Sequence, residues 1–210
     1  MCQSPHPGFF QRLEEMDPEE VCRRSLAGYD SRGGEYLLPV LSARCRVDPG
    51  ARLVSLVTGD GPAEAVWREP GVTTELALLA VMYLLYTGEV SPEGRWVNEY
   101  SLRGGAQFFR GPHAVPNREL ARCFGTDTAA FERACRLLGG VPVEAGDAGF
   151  RFSVLPRVPA AVAFWYADEE FPASAKLLLD PTVQCHLPLD VVFALSVELY
   201  RRIMKAGSVN

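Results

Sequence analysis

A chain of 210 residues with 48% hydrophobic and 22% charged side chains can bury a core without a disulfide or a structural metal, and its composition excludes a disordered protein. The net charge is −5 and no basic stripe runs through the sequence, which argues against duplex DNA or RNA as a partner. The longest apolar run, residues 76–86, is far shorter than the roughly 20 residues a membrane span needs, and residues 1–11 lack the pattern of a secretory signal, so the expectation is a cytoplasmic protein that does not enter the membrane.

Residues 1–16 read as an N-terminal tail, 17–205 as one domain and 206–210 as a C-terminal tail. Asp17-Pro18-Glu19-Glu20 predicts a helix start, with a capping carboxylate, a proline at the first helical position and acids at the positive end of the dipole. Val21, Cys22, Ser25 and Leu26 form its inward stripe, and Gly28 stops it. Residues 35–47 and 52–57 read as strands around the turn Asp48-Pro49-Gly50; the second is apolar on both faces, which suggests a central position. Residues 58–71, rich in glycine and proline, read as a loop. Thr73 caps a helix over 73–86 that has no polar face, so this segment is expected to be the central buried helix.

A short strand is expected near Trp96, followed by a glycine turn at Arg103-Gly104-Gly105 leading to Phe108 and Phe109. Two short helices follow, one from an Asn117 cap to Phe124 and one from an Asp127 cap to Leu138, the second closed by Gly139-Gly140. The turn at Gly146-Asp147 feeds a strand with Phe150, Phe152 and Val154 on one face and Arg151 and Ser153 on the other. Segments 160–166 and 175–179 then form a hairpin or meander with a wide acidic connection. Pro188 and Asp190 start the last helix, with Val191, Val192, Leu195, Leu199 and Ile203 inward and Arg201, Arg202 and Lys205 complementing its C-terminal dipole. Arg23-Arg24 and Arg201-Arg202 read as solvated helix faces. The element order predicts an α+β fold, a mostly antiparallel mixed sheet with a central buried helix and flanking helices.

The most unusual string is Phe164-Trp165-Tyr166-Ala167-Asp168-Glu169-Glu170-Phe171-Pro172. Asp168 and Glu170 are spaced to project to one side, with Asp180 further along, and paired carboxylates beside apolar groups are how acid/base pairs and cation sites are built. A plainer reading has Asp168 capping the turn, Glu169 and Glu170 solvated and the aromatics in the core. The candidate ligand-binding residues are therefore Trp165, Tyr166, Asp168, Glu170, Phe171 and Asp180, joined by Arg103, Gly104 and Gly105, whose backbone N–H groups are able to face an anion. The six cysteines include no CxxC pair, so no metal site is expected from this chain alone. Cys185-His186 is the one Cys/His adjacency, but sequence neighbours point apart in a strand. No hydrolase motif identifies catalytic residues.

Several blocks together resemble the family called domain of unknown function 3786: Tyr36-Leu37-Leu38-Pro39-Val40, residues 78–86, Arg103-Gly104-Gly105 to Phe109, Leu138-Gly139-Gly140, Gly146-Asp147 with Phe150 and Phe152, Leu155-Pro156-Arg157-Val158-Pro159, residues 165–172 with Ala175, Leu179 and Asp180, and Leu187-Pro188 with Asp190. The resemblance spans residues 18–203 and implies an anaerobic bacterial or archaeal setting, in which some relatives carry a cysteine-rich iron–sulfur segment of the kind found in corrinoid proteins. This chain has no clustered cysteines. What the resemblance implies is an accessory protein that binds a cofactor of one-carbon metabolism, a corrinoid or another tetrapyrrole, with an iron–sulfur or corrinoid protein as partner. Two further readings stay open: an enzyme using Asp168 and Glu170 for acid–base or cation chemistry, and a protein-interaction module anchored by Trp165, Tyr166 and Phe171. The oligomeric state is not legible.

Overall fold

The computed structural model describes residues 5–57, 64–68 and 71–209. In chain order the helices are α1 Pro7–Glu14, α2 Pro18–Ser25, α3 Glu64–Arg68, α4 Thr74–Tyr86, α5 Gly105–Phe108, α6 Asn117–Phe124, α7 Thr128–Leu137 and α8 Leu189–Gly207. The strands are β1 Gly28–Asp30, β2 Glu35–Val40, β3 Ala43–Asp48 and β4 Leu53–Val57, then β5 Val141–Val143, β6 Ala148–Leu155, β7 Val158–Trp165 and β8 Ser174–Leu179. The fold is α+β. Each set of four strands is an antiparallel meander in sequence order, so there are two sheets among the described residues rather than one mixed sheet.

Period-two patterning explains the pairing. Tyr36, Leu38 and Val40 of β2 face inward, and the register sets Leu38 against Cys45 and Tyr36 against Val47, all buried. In the second sheet Phe150, Val162 and Leu177 form one buried cross-strand row, and Phe152, Ala160 and Leu179 the next. The sheets meet where Leu41, at φ 50 in the tight β2–β3 turn, donates its N–H to Val154 O at 3.1 Å. Helix α4 begins at Thr73, whose hydroxyl accepts from Leu76 N at 3.0 Å, and buries almost its entire length against α8, α1, α2 and β3. Helix α8 puts Val191, Val192, Leu195, Leu199 and Ile203 into the same core.

Four expectations are corrected. The N-terminal segment taken as a tail carries α1, capped by His6 Nδ1 accepting from Gly8 N at 3.1 Å, with Phe10 and Leu13 buried against α4; at the other end α8 continues to Gly207 with Ala206 buried. Leu26 is not inward: it is the left-handed C-cap of α2, at φ 57, and is 53% exposed. Strand β4 is the last of its sheet, not a central strand, and Leu53 faces solvent. Most of the loop expected at 58–71 lies outside the described residues, but 64–68 is helical and Trp67 is buried.

Arg202 supplies a further correction. It is fully buried rather than on a solvated face, and its guanidinium lies 4.5 Å from the centre of the Trp67 ring. Nε donates to Glu198 Oε1 at 2.7 Å, Nη1 to Val66 O at 2.8 Å and Nη2 to Gly71 O at 2.5 Å. Glu198 Oε2 accepts from Thr73 Oγ1 and Arg201 Nη1, both at 2.7 Å. One buried ion pair thus ties α3, the cap of α4 and α8 together. Such a pair is weak evidence of net stability, but removing one partner strands a buried charge and costs about 3–5 kcal/mol.

Candidate functional site

Strand β7 ends at Trp165, and residues 166–173 connect it to β8. Asp168 organises this connection: its Oδ1 accepts from Glu170 N at 2.8 Å and Phe171 N at 2.7 Å, while Asp168 N donates to Phe171 O at 3.0 Å. These N–H donors hold the carboxyl below its ordinary pKa although it is fully exposed. Glu169 and Glu170 face solvent, and Phe171 at the tip is 67% exposed. Asp147 anchors the base of the connection, accepting from Tyr166 N at 3.0 Å and donating its N–H to Phe164 O at 2.9 Å. Trp165 and Tyr166 diverge. Trp165 lies under Lys176, 5.2 Å from the ring centre, while Tyr166 packs 5.1 Å from the buried Phe164 ring. Burial first, and then the charges of α7 and Asp147, push the Tyr166 hydroxyl up to about 12.

Asp180 is not part of this cluster. It follows β8, so the six residues of that strand put it roughly 20 Å from the turn. It is buried, with Oδ1 accepting from Thr182 Oγ1 at 2.6 Å, Thr182 N at 3.0 Å and Glu93 N at 3.2 Å, and Oδ2 from Gly94 N at 2.8 Å. Burial alone raises its pKa; these donors outweigh burial and leave it below the ordinary value. Arg103, Gly104 and Gly105 lie nearer to this end. Arg103 N donates to Gln184 Oε1 at 2.8 Å and Gln184 Nε2 returns to Arg103 O at 3.0 Å; Gly105 N is engaged by Leu102 O at 2.8 Å. Gly104 sits at φ 80, and a Cβ on Gly105 collides with the Glu99 carbonyl, so local geometry requires both glycines.

A groove of about 500 Å³ separates the β7–β8 connection from α6. One wall is Ala167, Pro172, Ala173 and Ala175; the other is Arg118, Ala121, Arg122 and Gly125. The volume exists because the facing positions carry side chains no longer than proline or serine, apart from Asn117 and the two arginines. Helix α6 is held firmly behind it. Leu120 and Phe124 are buried, the Phe124 ring comes so close to Gly207 that a Cβ there falls 2.5 Å from it, and Tyr200 OH donates to Asn117 Oδ1 at 2.7 Å. The guanidiniums of Arg118 and Arg122 have no salt bridge or hydrogen bond among the described residues. Sequence reasoning passed over both. The signal was their spacing of four on one face of a short helix, but its meaning depends on the strand connection lying opposite.

A second cleft, about 590 Å³, is lined by Met82, Tyr86, Arg103 and Cys185 among others. Cys185 is exposed, whereas His186 is buried with Nδ1 2.8 Å from Thr87 Oγ1. The two do not form a pair, as expected of sequence neighbours. Burial, then the Arg157 charge, holds the imidazole below its ordinary pKa, hence neutral near neutrality. Cys45 and Cys135 are core residues with thiols raised by burial, Cys45 to about 12; Cys2 lies outside the described residues. Among the described residues no three His, Cys, Asp or Glu side chains gather as metal ligands, and no helix is long and apolar enough to cross a membrane.

The two antiparallel meanders around α4 and α8 place the chain among α+β proteins built on a single continuous core. It belongs to the family described as a domain of unknown function, DUF3786, which matches residues 17–202. No curated protein and no solved structure matches the chain.

Proposed function

We propose that the protein is a non-catalytic binding protein whose ligand occupies the groove between α6 and the β7–β8 connection. The observation that carries this reading is the pair of unpartnered arginines, Arg118 and Arg122, facing a small-residue wall across about 500 Å³, within the range of about 300–1,000 Å³ common for small-molecule sites. The family resemblance points to a tetrapyrrole, a corrinoid or a haem, as the ligand; a groove of this size takes the edge of such a ring rather than the whole. A corrinoid or iron–sulfur protein is the partner in this reading, and the exposed Phe171 beside the groove suits a contact with it.

An acid–base role for Asp168 has less support. Its carboxylate is engaged in its own turn and its lowered pKa keeps it ionised at neutral pH, which suits a cap better than a proton donor. The test is titration of anaerobically purified protein with cobalamin and with haem, followed by absorption and thermal shift. A change with either ligand, lost in an Ala173→Trp variant that fills the groove, is the expected result. No change with either removes the tetrapyrrole reading, and a change that survives Ala173→Trp removes the groove.

A further inference from the structure

We infer that the groove selects an amphipathic anion, an apolar body carrying a carboxylate or phosphate group held by Arg118 and Arg122. The inference rests on the groove being a binding site and adds the chemical class of what binds there.

Three features of the protein disfavour the arginines where they stand. They are one helical turn apart, and like charges four residues apart on a helix repel. Arg118 lies in the first turn of α6, where the helix dipole is positive and disfavours a cation. Among the described residues no carboxylate within ion-pair distance offsets either charge: Asp168 is turned into its own loop, and neither Glu169 nor Glu170 on the connection, nor Glu119 on the helix, bridges to them. The same helix end offers further donors, because Pro116 supplies no capping side chain and the N–H groups of Arg118 and Glu119 have no acceptor among the described residues. An anion bridging the guanidiniums relieves the repulsion and meets the dipole with the right sign. Ala121, Ala167, Ala173 and Ala175 offer nothing to hydrogen-bond through their side chains, so the remainder of the ligand at that floor is apolar. A purely inorganic anion leaves the floor wet, and a neutral apolar molecule leaves the arginines unmatched.

The probes are 8-anilinonaphthalene-1-sulfonate, an apolar body with one anionic group, and N-phenyl-1-naphthylamine, the same body without charge, both read by fluorescence. The Arg118→Gln/Arg122→Gln double variant alters two exposed side chains without ion pairs and removes their repulsion, so its thermal midpoint should be no lower than the parent's. The expected result is a loss of about tenfold or more in affinity for the sulfonate, with amine binding unchanged within about twofold. Ala173→Trp, or Ala167→Trp should the first fold poorly, abolishes binding of both. Octanoate and octyl phosphate then compete with the sulfonate, and the stronger competitor identifies the head group. Sulfonate binding that is insensitive to the arginine change, or octanol competing as well as either anion, overturns the anion inference while leaving the groove standing. Binding of both probes that survives both tryptophan variants overturns the groove itself.

Discussion

Asp180 shows how a single carboxylate can look like chemistry and act as a clamp. Its two oxygens gather four donors from Glu93, Gly94 and Thr182, joining the chain before Trp96 to the turn that follows β8. Because these donors favour the ionised form, the folded-state pKa lies below the ordinary value of about 3.9. The stabilisation is therefore complete above that value and is lost as the pH falls through the lower folded-state pKa. Asp180→Asn turns an acceptor into a donor that faces another donor, and should cost about 2–3 kcal/mol at pH 7. Urea unfolding of both proteins should show this gap shrinking below about pH 4 as the parent loses its charge. A gap that stays constant to low pH means that shape, not charge, holds the site.

At the scale of elements, helix starts were legible because a cap is a local interaction. Asp17, Thr73 and Asp127 each accept from the first turn of their helix, as the sequence predicts, whereas Asn117, expected as a cap, lies inside α6 and accepts from Tyr200 OH instead. Helix α1 was missed because its cap is a histidine nitrogen, a residue type not favoured for that role. Strand β4 misled because two apolar faces resemble a central strand, whereas sheet order is set by the meander rather than by the strand's own residues. Arg202 reads like any helix-surface cation until Trp67, far away in sequence, is placed on it. The candidate site was half legible for the same reason: the β7–β8 connection is marked by its composition, but its arginine wall comes from another element. Helix α4 was the clearest segment, and it carries the sharpest test. Leu79 is fully buried at its centre, so Leu79→Asp places an unpaired carboxylate where no donor waits. The expected cost is about 4 kcal/mol or more. Far-UV circular dichroism should then show a protein without a cooperative melt, and a soluble variant melting cooperatively contradicts the central place given to this helix.

At the scale of the molecule, two four-stranded meanders in succession suggest two folding units, yet the packing argues for one. A continuous buried cluster runs from Phe10 and Leu38 through α4 and α8 to Phe152 and Leu177. Helix α8 is the common element, since it contacts α3 and α4 as well as α6 and α7. The buried Glu198–Arg202 pair belongs to this helix and reaches the first half of the chain through Val66 and Gly71, while Tyr200 on the same helix reaches α6 through Asn117. Neither half of the chain can therefore lose its contacts with α8 without exposing apolar surface and unpaired polar groups of the other. Unfolding should be a single transition, with calorimetric and van't Hoff enthalpies in agreement. Two single-tryptophan variants make the test local. Trp67 alone, kept in Trp96→Phe/Trp165→Phe, reports from the buried Arg202 contact; Trp165 alone, kept in Trp67→Phe/Trp96→Phe, reports from the second sheet. Each should give the same urea midpoint by fluorescence as its own far-UV signal. Trp165 melting before the bulk of the helical signal means that the second meander, with the groove attached, opens independently of the core.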